Sequence, residues 1–275
     1  MTDAPVARRR RRLRLSFGVV VVLLFFAVAI VGPWVAPYDP SEIDLAHEYA
    51  LPSARHLLGT TENGVDILST VLHGARLAAG IGLAVVTISL VLGASAGALA
   101  GYRMKTTDHV VTGLADLVQS FPAIVVNIAM LAVVARPGVV HIVGALVANG
   151  WVLYARIARA QTLTLREREF VQAARALGAS DLRILVRHIV PNLGGPLVIQ
   201  ATGGLGTVIL VESSLSFLGL GPGKQTSWGA LLDQGSAVLL RTPHVALVAG
   251  TAIAITVLGF NLAGDWLRDR LDPRA

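Results

Sequence analysis

Six apolar runs dominate the sequence, and each is long enough to cross a lipid bilayer as an α-helix. A helical span needs only about 20 apolar residues. The runs cover residues 15–36, 77–101, 109–134, 139–157, 194–215 and 245–263. Only 15% of the residues are charged, against about 25% in soluble domains. The sequence therefore predicts an all-α, polytopic membrane protein with six transmembrane helices.

The first apolar run could be a membrane span or a cleaved signal peptide. It follows a basic segment over residues 1–14 that contains six arginines. The run is longer than the roughly 7–15 residues of a signal-peptide core, and no small-x-small cleavage site follows it. We therefore expect an uncleaved first transmembrane helix over 15–36.

The basic residues are unevenly distributed between the runs. Eighteen of the 23 Lys and Arg residues fall in segments 1–14, 103–105, 156–187 and 266–275, and the other five fall in the intervening segments. The positive-inside rule then predicts that both termini face the cytoplasm. Residues 37–76 become an extracytoplasmic loop, 77–265 a five-helix core, and 266–275 a cytoplasmic tail. This placement accounts for the net charge of +6 without a nucleic-acid partner.

The longest polar segment inside the chain covers residues 166–192, between the fourth and fifth spans. Its first half carries apolar residues at helical spacing: Phe170, Ala173, Ala174 and Leu177. Gly178 follows them and is a natural helix stop. This pattern predicts a short amphipathic helix that ends at the glycine.

The second half of this segment predicts another short helix. Ser180 is a candidate N-cap, and Pro191 is expected to close the segment. The apolar positions between them are Ile184, Leu185 and Ile189. Two short helices outside the spans form a candidate docking surface for another protein. The alternative is a solvated amphipathic hairpin on the membrane surface.

The sequence has no motif for catalysis or for binding a metal ion or a nucleotide. It has no cysteine, and none of its seven histidines pair at i, i+3 or i, i+4 spacing. The run GLGPGK at 219–224 departs from a nucleotide-binding P-loop, because Leu218 stands where the first glycine is needed and Gln225 replaces the Ser/Thr. We therefore expect no catalytic residue, no metal site and no directly bound cofactor.

Two acidic residues lie within the predicted spans, Asp116 in the third and Glu212 in the fifth. Acids inside a membrane often line a transport pathway, and they also occur as interfacial residues with a polar partner. Both interpretations stay open. Gly93, Gly97 and Gly101 recur at four-residue spacing in the second span, which favours close helix packing.

The polar segment resembles the EAA loop of ABC importer permeases. The run FVQAARALG at 170–178 is followed by IVPN at 189–192. Ala173, Ala174 and Gly178 match the family pattern, as do Ile189 and Pro191. Gln172 replaces the usual glutamate, so a salt bridge from this position is not available.

Three further stretches resemble the same group of permeases. They are HLLGTTENGVDILS at 56–69, LSFLGLGP at 215–222 with SWG at 227–229, and NLAGDWLRDRLDPR at 261–274. Together with the EAA-like loop they resemble the C-type permease subunit of the dipeptide/oligopeptide/nickel family of ABC importers.

The resemblance implies a type I ABC importer permease fold in the bacterial cytoplasmic membrane. It implies a non-catalytic subunit that forms half of a path for di- and oligopeptides. The implied partners are a B-type permease, cytoplasmic ABC ATPases that use the ATP, an extracytoplasmic substrate-binding protein and membrane lipid. The implied coupling loop is 160–192, with Phe170, Gln172, Ala173, Ala174, Leu177, Gly178, Ile189 and Pro191 as its contact residues. The alternative is a secondary carrier or channel that works without an ATPase.

Overall fold

The computed structural model describes residues 4–223 and 226–271, with side chains from Phe17 onward. The side chains of the arginine cluster at 8–14, residues 224–225 and residues 272–275 lie outside the described part. The described chain is helical and contains no strand, only an isolated bridge between Thr60 and Asp66. The all-α prediction is confirmed.

Ten α-helices follow one another along the described chain. They are α1 Ala4–Val35, α2 Ile67–Arg103, α3 Lys105–Gln119, α4 Ala123–Ala132, α5 Val139–Leu165, α6 Glu169–Ala176, α7 Asp181–Ile184, α8 Val190–Phe217, α9 Trp228–Ala237 and α10 Pro243–Leu271. A 3₁₀ turn lies at Leu45–His47, and a π-helical segment over Leu185–Ile189 joins α7 to α8. Five of the helical stretches are long and apolar enough to cross a membrane.

The third predicted span is bent rather than straight. The run 109–134 is divided between α3 and α4, which meet at 79°. Pro122 is the N-cap of α4. It disfavours the helical conformation at the preceding residue and lacks a backbone N–H for the helix ladder. The described chain therefore has five spans, or six if α3 and α4 form one broken span.

The second helix is longer than its apolar run. It starts at Ile67, within the segment predicted as an extracytoplasmic loop, and has 37 residues. A helix of this length extends about 55 Å, well beyond the roughly 30 Å of a bilayer core. Asp66 caps it, because its carboxylate accepts hydrogen bonds from the Ser69 amide and hydroxyl, both at 2.8 Å. The helix is therefore longer than the core of a bilayer is thick.

Glycines bring α2 and α5 into direct backbone contact. A Cβ added at Gly93, Gly97 or Gly101 would clash with α5 around Trp151 to Thr162. The contacts advance in the same order along both helices, so α2 and α5 run parallel. Small residues allow such close approach, and close approach maximises dispersion contacts inside a membrane. The helix-packing interpretation of these glycines is confirmed.

Helices α1 and α10 run antiparallel to each other and pack against α2 and α8. Gly18 lies against Leu262, and Gly259 lies against Val21. Aromatic rings fill the space between them, with Phe25 and Phe260 edge to face at 5.5 Å. These contacts make α1 part of the bundle.

The bundle has two ends, which differ in the segments that lie there. We call one the loop end, because the segment 36–66 and α9 lie there, together with the first turns of α2, α5 and α10. We call the other the coupling end, because α6 and α7 lie there.

The α2–α5 contact gives a direct stability test. Gly97→Ala should lower the free energy of unfolding by about 1–3 kcal/mol, the usual cost of overpacking, because the new methyl group would overlap the Ala155 backbone. Gly80→Ala on the same helix is the matched control, since nothing lies within 4 Å of its added Cβ. Thermal melting of the detergent-solubilised protein measures both. Equal melting temperatures for the two variants would contradict the packing described here.

Candidate functional site

The inner face of α6 anchors this short helix to the bundle. Val171 is completely buried, and Ala174 is half-buried one turn further on. They belong to an apolar cluster, which we call the coupling cluster: Tyr102, Tyr154, Ala158, Val171, Ile184, Leu185, Ile189, Leu193 and their neighbours. The cluster also contains residues of α2, α5, α7 and α8, so Val171 joins α6 to the packed core of the bundle.

The outer face of α6 leaves apolar side chains exposed. Phe170 is 44% exposed and Leu177 is 89% exposed, and Ala173 is exposed between them. Leu182 on α7 adds a further exposed apolar side chain, at 70%. The predicted apolar face is thus divided, since Ala174 points towards the bundle and the other three positions point away. We call Phe170, Ala173, Leu177 and Leu182 the exposed apolar patch.

Gly178 ends α6 in a Schellman motif. Its φ of +79° lies in the left-handed region that favours glycine. The Gly178 amide donates to the Arg175 carbonyl, and the Ala179 amide donates to the Ala174 carbonyl, both at 3.0 Å. The predicted helix stop is confirmed, and its geometry fixes the direction in which the chain leaves α6.

The second predicted short helix does not end at Pro191. Ser180 occupies the predicted N-cap position, without a side-chain capping bond, and α7 continues through the π-helical segment into α8. The prediction that Pro191 closes the segment is therefore wrong. The Val190 amide bonds the Leu185 carbonyl, five residues back, and Pro191 follows in the first turn of α8. We attribute the continuity to this wider turn, which accommodates a residue without an N–H.

Tyr102 connects the end of α2 to both short helices. Its hydroxyl donates to Asp181 Oδ1 at 2.7 Å, and its backbone carbonyl accepts from Arg166 Nη1 at 3.4 Å. The Arg175 guanidinium also lies against the Tyr102 hydroxyl, and this hydrogen bond raises the pKa of Arg175. The polar contacts of Tyr102 thus reinforce the attachment made by the coupling cluster.

Gln172 lies on the exposed side of α6. Its Nε2 donates to the Glu167 carbonyl at 3.1 Å, so part of its hydrogen-bonding capacity is used within the loop. The neighbouring Phe170 ring lies 6.4 Å from the His188 ring. The uncharged Gln172 therefore helps to order the start of α6.

The two acidic residues of the predicted spans lie on different helices and have different surroundings. Asp116 on α3 is exposed and pairs with Arg156 of α5 at 2.7 Å. Asp108 and Arg159 form a second ion pair between the same two helices. Glu212 on α8 is only 2% exposed, and its Oε1 accepts from the Ser216 hydroxyl at 2.7 Å. A pathway role for either acid stays a prediction.

The LSFLGLGP stretch is the end of α8 and the turn after it. Gly219, at φ +78°, closes α8 in the same manner as Gly178 closes α6. The Gly219 amide bonds the Ser216 carbonyl, and the Leu220 amide bonds the Leu215 carbonyl. Leu220 packs on the cluster that contains Leu215, as this motif favours. The chain is thereby turned towards α9.

Each residue of the SWG stretch makes a contact that positions α9 on the bundle. Ser227 caps α9 by accepting from the Ala230 amide at 3.1 Å. Trp228 Nε1 donates to the Val71 carbonyl of α2 at 2.9 Å. Gly229 lies against the Ser213 backbone of α8, where no side chain would fit. Each of the three residues therefore has a structural role at the loop end.

The HLLGTTENGVDILS stretch folds around a buried contact between a histidine and a carboxylate. His56 Nδ1 lies 3.0 Å from Asp66 Oδ1, and the His56 ring stacks on Tyr38 at 4.8 Å. Gly59 and Gly64 adopt positive φ in the turns beside it. The loop between α1 and α2 is thus a compact structure fixed to the start of α2.

The fold and these sites define the class of the protein. It is a bundle of membrane-crossing helices with a short, firmly attached helix and an exposed apolar patch at one end. Among the described residues, no group of three His, Cys, Asp or Glu side chains is arranged to hold a metal ion.

Comparisons with known proteins identify the family within that class. The family model described as "binding-protein-dependent transport system inner membrane component" matches residues 89–275, and the chain belongs to this family. The model for the N-terminal transmembrane domain of oligopeptide transport permease C matches residues 9–52. Both matches confirm the resemblance drawn from the motifs.

Individual relatives match over almost the full chain. A dipeptide transport system permease of Alkalihalophilus pseudofirmus is 35% identical over 94% of this chain and 84% of its own length. A glutathione transport system permease of Shigella dysenteriae is 39% identical, over 97% and 88%. A putative peptide transport system permease of Brucella suis is 39% identical, over 98% and 93%.

Several site features had no clear signal in the sequence. Val171 has no distinctive signal, because its spacing to Ala174 is the same as the spacing from Phe170 to Ala173 on the exposed face. Tyr102 and Asp181 are separated by 79 positions, so no local pattern connects them. The sequence signal for the π-helical segment is Pro191. This proline follows a helical pattern of apolar residues that continues without a break.

The Tyr102–Asp181 hydrogen bond gives a test of how firmly the coupling end is attached. Tyr102→Phe removes this bond, which is worth about 0.5–1.5 kcal/mol, and should speed amide hydrogen exchange in residues 169–184. Tyr154→Phe is the matched control, because Tyr154 belongs to the same cluster but lies on α5. Exchange that stays unchanged in 169–184 for Tyr102→Phe would show that the bond does not hold the loop.

Proposed function

We propose that this chain forms half of the translocation path of an ATP-driven peptide importer. Its family and its relatives support this function, since those relatives are named as dipeptide, glutathione and peptide transport permeases. The chain is then a non-catalytic subunit without a bound cofactor. A second, B-type permease completes the path, and ATPase subunits supply the energy.

The observation that carries this proposal is the exposed apolar patch on a firmly attached helix. Leu177 and Phe170 project from the coupling end while Val171 on the same helix is fully buried. An exposed apolar helix face suits a groove on a partner protein, as in helix-in-groove recognition. The partner is an ATPase subunit in this proposal, and α6 is the coupling helix within the loop 160–192.

The attachments of α6 suggest how the movement of an ATPase would reach the membrane helices. A displacement of α6 would be carried to α8 through Gly178, α7 and the π-helical segment. It would be carried to α2 through the Tyr102–Asp181 bond, and from α2 to α5 through their glycine contact. The ATPase would thus move several spans together, which alternating access between the two faces of a bacterial cytoplasmic membrane requires.

The distribution of charge supports an orientation for the bundle. The coupling end carries the arginine-rich segment 156–187, so we place it in the cytoplasm together with both termini. The loop end then faces outward and receives the substrate-binding protein. Asp116 and Glu212 remain our candidates for residues along the pathway.

The exposed apolar patch can be tested with a charge. Leu177→Glu should abolish copurification of the ATPase subunits with the coexpressed importer, and peptide uptake with it, because burying an unpaired carboxylate in an apolar groove is strongly unfavourable. Leu240→Glu is the matched control, since Leu240 is fully exposed at the loop end and should leave ATPase binding unchanged.

The same experiment distinguishes an ATPase-coupled importer from the alternative, a carrier or channel that works without an ATPase. ATP-independent uptake by a chain that retains no ATPase would favour a carrier or channel. Normal copurification and uptake with Leu177→Glu would contradict the proposed role of the patch.

A further inference from the structure

A cavity opens at the loop end of the bundle, away from the coupling helices. It has a volume of about 420 Å³, within the roughly 300–1,000 Å³ typical of small-ligand sites. It lies between α2, the first residue of α5 and the segment that precedes α9. Its walls are largely apolar, with Leu77, Ile81 and Val139, and its polar groups come from His73, Arg76 and Thr226.

Arg76 gives this cavity a positive charge. Its guanidinium lies over the Trp34 ring at 5.9 Å. No carboxylate of the described residues lies within 4 Å of it to form an ion pair. A charged partner for this arginine can therefore come from a ligand.

The surroundings of Arg76 strengthen a bond to an anion. Trp34 lies at the end of α1, where aromatic side chains mark the boundary between lipid and water. Charges near such a boundary are screened less than in bulk water, so their attraction is stronger.

Two other polar side chains near the cavity, His73 and Asp39, already have partners. His73 Nδ1 lies 2.9 Å from the Ser69 carbonyl, to which it can donate. Asp39 interacts electrostatically with His73, but its carboxylate accepts from the Ser41 amide and hydroxyl at 2.8 and 2.6 Å. These hydrogen bonds lower the pKa of Asp39. Arg76 therefore remains the cationic group of the cavity with free capacity for an anion.

We propose that this cavity binds the C-terminal carboxylate of the transported peptide, with Arg76 as its cationic partner. The inference rests on the proposed import of peptides. A guanidinium can donate two parallel hydrogen bonds to a carboxylate, which a lysine or a histidine cannot do. The apolar wall formed by Ile81 and its neighbours provides a surface for the last side chain of the peptide. The site would thus recognise a group that all linear peptides share and tolerate differences in sequence.

The absence of cysteine from the chain makes a direct binding experiment available. Gly80 lines the cavity, and nothing lies within 4 Å of a Cβ added there, so Gly80→Cys introduces one thiol at the site. The importer is reconstituted from this chain with its partner permease and cysteine-free ATPase subunits, and without binding protein. The rate of maleimide labelling is measured with increasing concentrations of alanine peptides of two to five residues, or of their C-terminal amides.

The peptides with a free carboxylate should slow the labelling, and the amides should not. Arg76→Gln in the same background should raise the peptide concentration needed for protection roughly 10- to 100-fold, the usual range for a lost charge-assisted hydrogen bond. Arg76→Lys should recover part of the loss. Arg136→Gln at the same end is the control for Arg76→Gln, and it should leave the protection by peptides unchanged. Leu240→Cys as the labelled position is the second control, and peptides should not slow its labelling.

Equal protection by acids and amides, no protection by either, or an unchanged response with Arg76→Gln would each overturn the proposal. Uptake of the same peptides by the complete importer with ATP and binding protein is measured in parallel. If the complete importer takes up the peptides but the peptides do not protect the thiol from labelling, only this site is rejected. Failure of the complete importer to take up any of the peptides rejects the proposed function and the site together.

Discussion

The coupling cluster is the interaction on which the rest of the structure depends. Val171, Ile184 and Ile189 are completely buried in it, and they come from three successive segments of the loop between two spans. Their burial makes that loop a fixed part of the bundle, so a force applied to α6 can reach the membrane helices. The exposed apolar patch can contact a partner at this end because the opposite side of α6 is already buried in the coupling cluster.

The membrane imposes a second constraint, which explains how the bundle is built. A bilayer offers no water to backbone groups, so every crossing segment must be helical. Apolar side chains alone do not drive helices together in lipid, and close contact has to come from small residues. Gly97 against Ala155 and Gly259 against Val21 show this at two separate contacts. Movement of one helix in such a pair therefore involves the other.

The sequence predicts the parts of this structure that depend on local chemistry. Hydropathy locates the spans, glycine spacing indicates α2–α5 packing, and Gly178 ends α6 because its left-handed conformation suits glycine. Hydropathy does not reveal the bend at Pro122, since the run 109–134 is apolar enough on average to be interpreted as one straight span. The helix end predicted at Pro191 is wrong because a π-helical turn can accommodate a proline. The Tyr102–Asp181 bond and the cavity beside Arg76 join distant segments, so they required the three-dimensional structure.

The central claim is that α6 meets an ATPase in the cytoplasm while the loop end faces outward. The lack of cysteine allows one test of both parts, with single cysteines at Leu177 and Leu240. A thiol at 177 should cross-link to the ATPase subunit in inverted membrane vesicles and resist a membrane-impermeant maleimide applied to intact spheroplasts. A thiol at 240 should react with that maleimide and form no ATPase cross-link. Labelling of position 177 from outside, or no cross-link from it to the ATPase, would contradict the account.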